Sequence, residues 1–221
     1  PDLLAGFAMT VLLTGFEPFA GEPVNPSWLM LEAFDGMLID GHPVMSRCLP
    51  TAFGHSLLAL AQFVDTNRPD IVIAFGQAGG RSAISLERVA INCDDARIAD
   101  NIGKQPIDSR IVAHAQNAYF STLPIKASMH ALHQAGIPAE ISNTAGTFVC
   151  NHLFYGLMHM ASERPGMKAG FVHVPYLPEQ AVRHPGVPSM DLPQLQRAVE
   201  IIIRCALQFD TDLRLDAGRE C

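Results

Sequence analysis

The sequence predicts an α/β fold: a mostly parallel, twisted sheet with helices covering both faces. Three observations predict it. Runs such as Ile71-Val72-Ile73-Ala74-Phe75 are apolar throughout, as a strand buried on both faces must be. Such runs alternate with stretches of helical spacing, the pattern of strand–helix–strand units. The length, 221 residues, suits one such domain. A domain of that size buries about 70% of the surface its unfolded chain exposes, so it needs no disulfides or metals to hold it.

In chain order, Val11-Leu12-Leu13-Thr14-Gly15 reads as the first buried strand. A Pro- and Gly-rich loop spans 17–26. Asn25-Pro26-Ser27 then opens a helix to about residue 34, because Pro suits a first helical turn. Residues 44–49 read as a second strand. Residues 56–67 read as a helix, with Leu57, Leu60, Ala61 and Val64 on one face. Pro69-Asp70 leads into the strand 71–75, which ends in the loop Gly76-Gln77-Ala78-Gly79-Gly80-Arg81. Residues 84–92 read as another strand. The polar stretch 93–122 reads as a long excursion with some helix around 111–119. A helix over 123–135 is stopped by Gly136, and 139–142 is strand-like. Residues 148–160 form a helix with Val149, Leu153, Leu157 and Met160 on one side. The last strand covers 169–174, 178–193 is a loop, and 192–209 is a strongly amphipathic helix. Parallel sheets bind ligands at the C-terminal ends of their strands. The loops after Gly15, Phe75 and Ser142 are therefore expected to meet. Residues 1–8 read as an expression remnant or upstream extension, 9–209 as one catalytic domain, and 210–221 as a polar C-terminal tail.

Composition excludes several classes of function. The formal net charge is -7 and no Lys/Arg run occurs, which disfavours nucleic acid as a partner. The longest apolar stretches fall far short of the ~20 residues that span a bilayer. Five scattered cysteines do not form a disulfide framework and point to a reducing compartment, hence the cytoplasm. The first ten residues have neither a basic start nor a long apolar stretch, so no secretory signal is expected.

A cysteine is usually a small buried hydrophobe. Cys48, inside a strand, and Cys205, on an apolar helix face, fit that reading. Cys93 is undecided, and Cys221 ends the polar tail. Cys150 differs. Small and polar residues from Ser142 to Thr147 give way abruptly to helical spacing, so Cys150 falls in the first turn of a helix. Unpaired N–H groups and the helix dipole favour a thiolate there. A thiol nucleophile also needs a base and a group that orients the base. His173, inside an apolar strand, is expensive to bury without partners. It reads equally as a core histidine with its bonds satisfied. Glu87 reads as a solvated strand face or half of an ion pair. His42, His55, His130, His133 and His184 read as solvated surface. His152 and His159 share the Cys150 helix.

Several segments taken together resemble the pyroglutamyl peptidase type I family, also called pyrrolidone carboxyl peptidases. They are Thr14-Gly15-Phe16-Glu17-Pro18-Phe19 with Asn25-Pro26-Ser27, Gly76 to Arg81 running on to Glu87-Arg88-Val89-Ala90-Ile91-Asn92, and Asp100-Asn101. They continue with Ser142 to His152 and Gly170-Phe171-Val172-His173-Val174-Pro175-Tyr176. The resemblance covers residues 9–209 in order. It implies a three-layer α/β/α sandwich and a Cys-His-Glu triad at Cys150, His173 and Glu87. It also implies a pyroglutamyl pocket at Phe16, Phe19, Gln77, Phe148 and Val149 with Asn25 nearby, and Arg97 beside the oxyanion site. No metal or cofactor is implied. The implied partners are peptides with N-terminal pyroglutamate and further copies of the chain, as a homotetramer or dimer. The implied reaction is hydrolysis of the amide after pyroglutamate through a Cys150 thioester. Ala20 stands where the family often has Gly.

Three other readings compete. A phosphorolytic nucleoside-type enzyme would use the Gly76 to Arg81 loop for phosphate, although the loop matches no phosphate-binding pattern. A metal hydrolase would use His152, His159 and His173, but H-E-x-x-H is absent. A non-catalytic binding module would use the same scaffold.

Overall fold

The computed structural model describes residues 8–218. Residues 1–7 and 219–221, with most of the expected N-terminal extension and Cys221, lie outside the described residues. The strands are β1 (Val11–Phe16), β2 (Leu38–Ile39), β3 (His42–Leu49), β4 (Ile71–Gln77), β5 (Ile84–Glu87), β6 (Val89–Ile91), β7 (Ala118–Phe120), β8 (Ala139–Ser142) and β9 (Lys168–Val174). The helices are α1 (Pro26–Leu29), α2 (His55–Asn67), α3 (Ile125–Gln134), α4 (Val149–Ser162), α5 (Pro178–Ala181) and α6 (Leu192–Gln208).

Seven strands form one sheet in the order β2-β3-β1-β4-β9-β5-β8. The pairings of β1 with β3 and β4, of β4 with β9, and of β5 with β8 are parallel. Those of β2 with β3 and of β5 with β9 are antiparallel. Alternate residues of the buried strands feed two separate cores. Val11, Leu13, Ile71, Ile73, Phe75, Val172 and Val174 pack under α1, α3 and α6. Leu12, Phe16, Val72, Ala74, Ala169 and Phe171 pack under α2 and α4. The result is the expected three layers, with each central strand apolar on both sides because each side has its own helices.

Several local expectations change. The run 84–92 divides at Arg88, whose N–H donates to Ser142 O at 2.8 Å. Beyond it β6 leaves the main sheet and pairs with β7 instead. The stretch 111–119 is not helical. The Asn92 carboxamide takes the N–H groups of Ile111 and Val112 and donates to Val112 O and Gln116 O. A side chain thus satisfies backbone groups that a helix would otherwise pair. The expected helix to residue 34 stops at Leu29, and a 3-10 turn follows at Glu32–Phe34. Asp40 and Gly41, both at positive φ (51° and 83°), turn β2 into β3 as a two-residue hairpin. Cys48 is exposed, near the sheet edge where β2 has ended. Cys205 is buried as expected. The tail residue Asp212 accepts from Lys126 N and Ala127 N, and so caps α3.

Candidate active site

Cys150, His173 and Glu87 converge on one face of the sheet. Parallel register pairs Gly76 of β4 with His173 of β9. Paired residues of neighbouring strands point to the same face, about 4.8 Å apart. A Cβ added to Gly76 would lie 2.8 Å from Cys150 Sγ. The sulfur therefore occupies the space that the missing Gly76 side chain leaves, next to the strand position of His173. On the other side of β9, antiparallel β5 pairs Ser85 with His173 and Glu87 with Phe171. Glu87 thus shares the face of Phe171 and His173. Its Oε1 lies 2.7 Å from His173 Nδ1. A carboxylate can only accept, so Nδ1 carries the proton and Nε2 keeps the free lone pair. Glu87 is fully buried and His173 is 4% exposed.

Cys150 comes from α4, which begins after an extended Phe148 with no side-chain cap. Asn151, the next residue, anchors this first turn. It bonds Ile91 N, Ile91 O and Cys93 O at 2.9–3.1 Å. β8 runs with β5 and against β9. Residues 143–148 carry the chain from Ser142 to the start of α4.

The three expected loops meet in a pocket of about 320 Å³ beside Cys150. Phe16 at the end of β1 joins Phe19 and Asn25 of the first loop, Gln77 at the end of β4 joins Gly79 of the second, and Phe148 of the third joins Val149 at the start of α4. Phe148 packs against Phe19 and Phe53 with ring centroids 5.1 and 5.2 Å apart. Asn25 caps α1 through Ser27 N and donates to Glu17 O. Glu17 in turn accepts from Thr51 N and Asn101 Nδ2, which ties this wall to its neighbours. Arg97 does not line the pocket. It is exposed, while the adjacent Ile98 is at the wall.

A family model for pyroglutamyl peptidases matches residues 9–209. The chain belongs to the pyroglutamyl peptidase family. It is 54% identical to a pyrrolidone-carboxylate peptidase of Cupriavidus taiwanensis, over 95% of this chain and 98% of that one. The same identity holds, over 95% and 98%, for a pyrrolidone-carboxylate peptidase of Ralstonia nicotianae. The crystal structure of pyroglutamyl peptidase I from Bacillus amyloliquefaciens superimposes with a TM-score of 0.92 at 44% identity. It covers 95% of this chain and all of that one. A pyrrolidone carboxyl peptidase from Pyrococcus furiosus gives 0.87 at 44% identity, covering 90% and 99%.

For this pyroglutamyl peptidase family member, burial dominates the electrostatics of the thiol. Desolvation, then the Glu87 charge, pushes Cys150 up to about 12, against a smaller opposing pull from Arg81. Burial also lowers His173 below its ordinary value, against the raising influence of Glu87. A site this dry disfavours either charge alone. Burial therefore opposes the thiolate expected from the helix start and favours the neutral forms of both groups.

Three partners were not foreseen. Arg81 Nη1 donates to the same Glu87 oxygen at 2.7 Å, and its Nη2 donates to Thr144 O. Buried Gln180 bonds Gln77. His184 stacks on Tyr176, binds Glu22 and lines the pocket, so it is not a free surface residue. Arg81 carried a signal, since Glu87 reads as half of an ion pair and Arg81 is a cation six residues away. Gln180 and His184 bridge segments too distant in the chain for local patterns to connect.

The rival arrangements do not form. Gly76 faces Cys150, and Gly79 leaves room for the Tyr176 ring. Arg81 is held by Glu87, so the loop is not a phosphate cradle. His152 is occupied at both nitrogens, by Asp94 Oδ2 at 2.8 Å and by Gly54 N at 3.0 Å. His159 pairs with Tyr119. Among the described residues no group of three His, Cys, Asp or Glu side chains is arranged to hold a metal.

Proposed function

We propose that this chain removes pyroglutamate from peptide N-termini by acyl transfer through Cys150. One observation carries the assignment. The Cys150 sulfur fills the gap at Gly76, the strand partner of His173, whose Nδ1 is held by buried Glu87, and Cys150 lines an aromatic pocket.

Pyroglutamate is an uncharged lactam with no free α-amine. Phe16, Phe19, Phe148 and Val149 would enclose its ring, and Gln77 and Asn25 would supply polar contacts. His173 Nε2 takes the Cys150 proton as sulfur attacks the carbonyl after the ring. Starting from a neutral pair, this transfer creates both charges together, without a net charge entering the dry site. Backbone N–H groups of the first turn of α4 would face the developing oxyanion. His173 then gives its proton to the leaving amine. Water attacks the thioester, passing a proton to Nε2, and the departing sulfur takes that proton back. Glu87 holds the imidazole in this tautomer and stabilises its cation.

A fluorogenic pyroglutamyl amide tests the assignment. Turnover is expected from the unaltered chain and not from Cys150→Ala, and iodoacetamide should inactivate the former by labelling Cys150. Full activity in Cys150→Ala would refute the reading. The proposal includes a homo-oligomer in the cytoplasm. Exposed Ile107 and Phe120 offer apolar surface to a second copy, and the four described cysteines are free thiols. No described helix is long and apolar enough to cross a membrane. Light scattering reads the assembly, and a monomer at micromolar concentration would remove that part.

A further inference from the structure

We infer that Gln180 sets the ring specificity of this site by fixing which end of the Gln77 carboxamide faces the pocket. The inference rests on the pyroglutamyl reading and deepens it. Gln180 lies on α5, is fully buried and does not line the pocket. Its Oε1 accepts from Leu177 N at 3.1 Å. A backbone N–H only donates, so the Gln180 amide has one possible orientation. Its Nε2 then faces three acceptors: Gln77 Oε1 at 2.9 Å, Glu22 Oε2 at 3.1 Å and Val24 O at 3.3 Å. Turning the amide over would set oxygen against oxygen at Glu22 and at Val24. Gln77 must therefore give its oxygen to Gln180. What remains for the pocket that Gln77 lines is an N–H₂ group. A donor that lines the pocket calls for an acceptor on the ligand, and the lactam carbonyl supplies it. A proline ring has no such carbonyl and would leave the donor unpaired. Unpaired donors of this kind are what allow a site to reject an analogue strongly. Gln180 is thus a positioning residue that acts through Gln77.

The test compares fluorogenic pyroglutamyl and prolyl amides on the full chain. Gln180→Met frees the Gln77 amide to turn. KM for the pyroglutamyl amide should rise at least about tenfold, and preference over the prolyl amide should fall by a similar factor. The rate of Cys150 alkylation by iodoacetamide should stay within about twofold, because the triad is untouched. If Gln180→Met does not fold, the double variant Glu22→Gln with Gln180→Glu is compared with Glu22→Gln alone. The carboxylate introduced by Gln180→Glu still accepts from Leu177 N but cannot donate, so Gln77 must turn its oxygen to the pocket. KM should again rise at least about tenfold, with kcat within about threefold. Unchanged KM and unchanged discrimination in a folded variant would overturn the inference alone. Failure of the unaltered chain to cleave the pyroglutamyl amide would overturn the functional reading, and this inference with it.

Discussion

Gly76→Ala adds one methyl group where the thiol now sits. The new Cβ would stand 2.8 Å from Cys150 Sγ, 2.8 Å from Phe171 Cζ and 3.0 Å from Phe171 Cε1. Comfortable contact needs about 3.5–4.0 Å, so something must move by roughly 1 Å. The Phe171 ring is 1% exposed and packed by Phe16, Phe154 and His173, so it yields only at a cost in stability. The sulfur turns about a single bond and will be displaced from the imidazole. A misplacement of about 1 Å costs on the order of 10² in rate. That corresponds to about 2.7 kcal/mol in the barrier. Overpacking should also cost about 1–3 kcal/mol of stability. The assay is kcat and KM on a pyroglutamyl amide, well below the variant's Tm, with thermal unfolding in parallel. The expected result is kcat down about 100-fold, KM little changed, and Tm down by a few degrees. A kcat within about threefold of the unaltered chain would refute the placement of the sulfur over Gly76.

The acid limb of kcat/KM belongs to His173, which must be neutral to accept a proton. Its value is lowered by burial, so activity should fall only as the pH drops below about 6.5. Because the Cys150 thiol is pushed up to about 12, the profile should stay flat from about pH 7.5 to 9.5. A rise of more than about threefold in that window would show that simple thiol ionisation limits the rate. Glu87→Gln lets an amide face His173 Nδ1 and should cut kcat about 10²–10⁴-fold with KM nearly unchanged. A loss below about tenfold would remove Glu87 from the orienting role. Asn151→Ala strands Ile91 N and Cys93 O, and should cost about 2 kcal/mol of stability. That is about 4–8 °C in Tm for a domain of this size. An unchanged Tm would contradict its anchoring role.

The central strands were legible because burial on two faces favours apolar residues on both sides; residues 71–75 are apolar throughout, and 11–15 and 169–174 depart only at Thr14 and His173. Cys150 was legible as a helix-start thiol for the same local reason. Strand direction was not. Nothing within residues 84–87 says that they run against β9, yet that reversal is what brings Glu87 to His173. The false helix at 111–119 has a similar origin, since it is undone by Asn92, about twenty residues away. His173 and Glu87 read individually as ordinary core and surface groups. Only the family resemblance joined them to Cys150 before the register did so geometrically. The Asp40-Gly41 hairpin was visible as a dipeptide and was missed.

β9 is the last strand of the sheet in chain order, yet it lies in the interior, between β4 and β5. It brings His173 and closes the gap that separates Gly76 from Glu87. A growing chain that has not yet delivered it holds a thiol and a carboxylate with no imidazole between them. Under the proposed reaction such a chain lacks its proton carrier, so acyl transfer must wait until β9 closes the sheet.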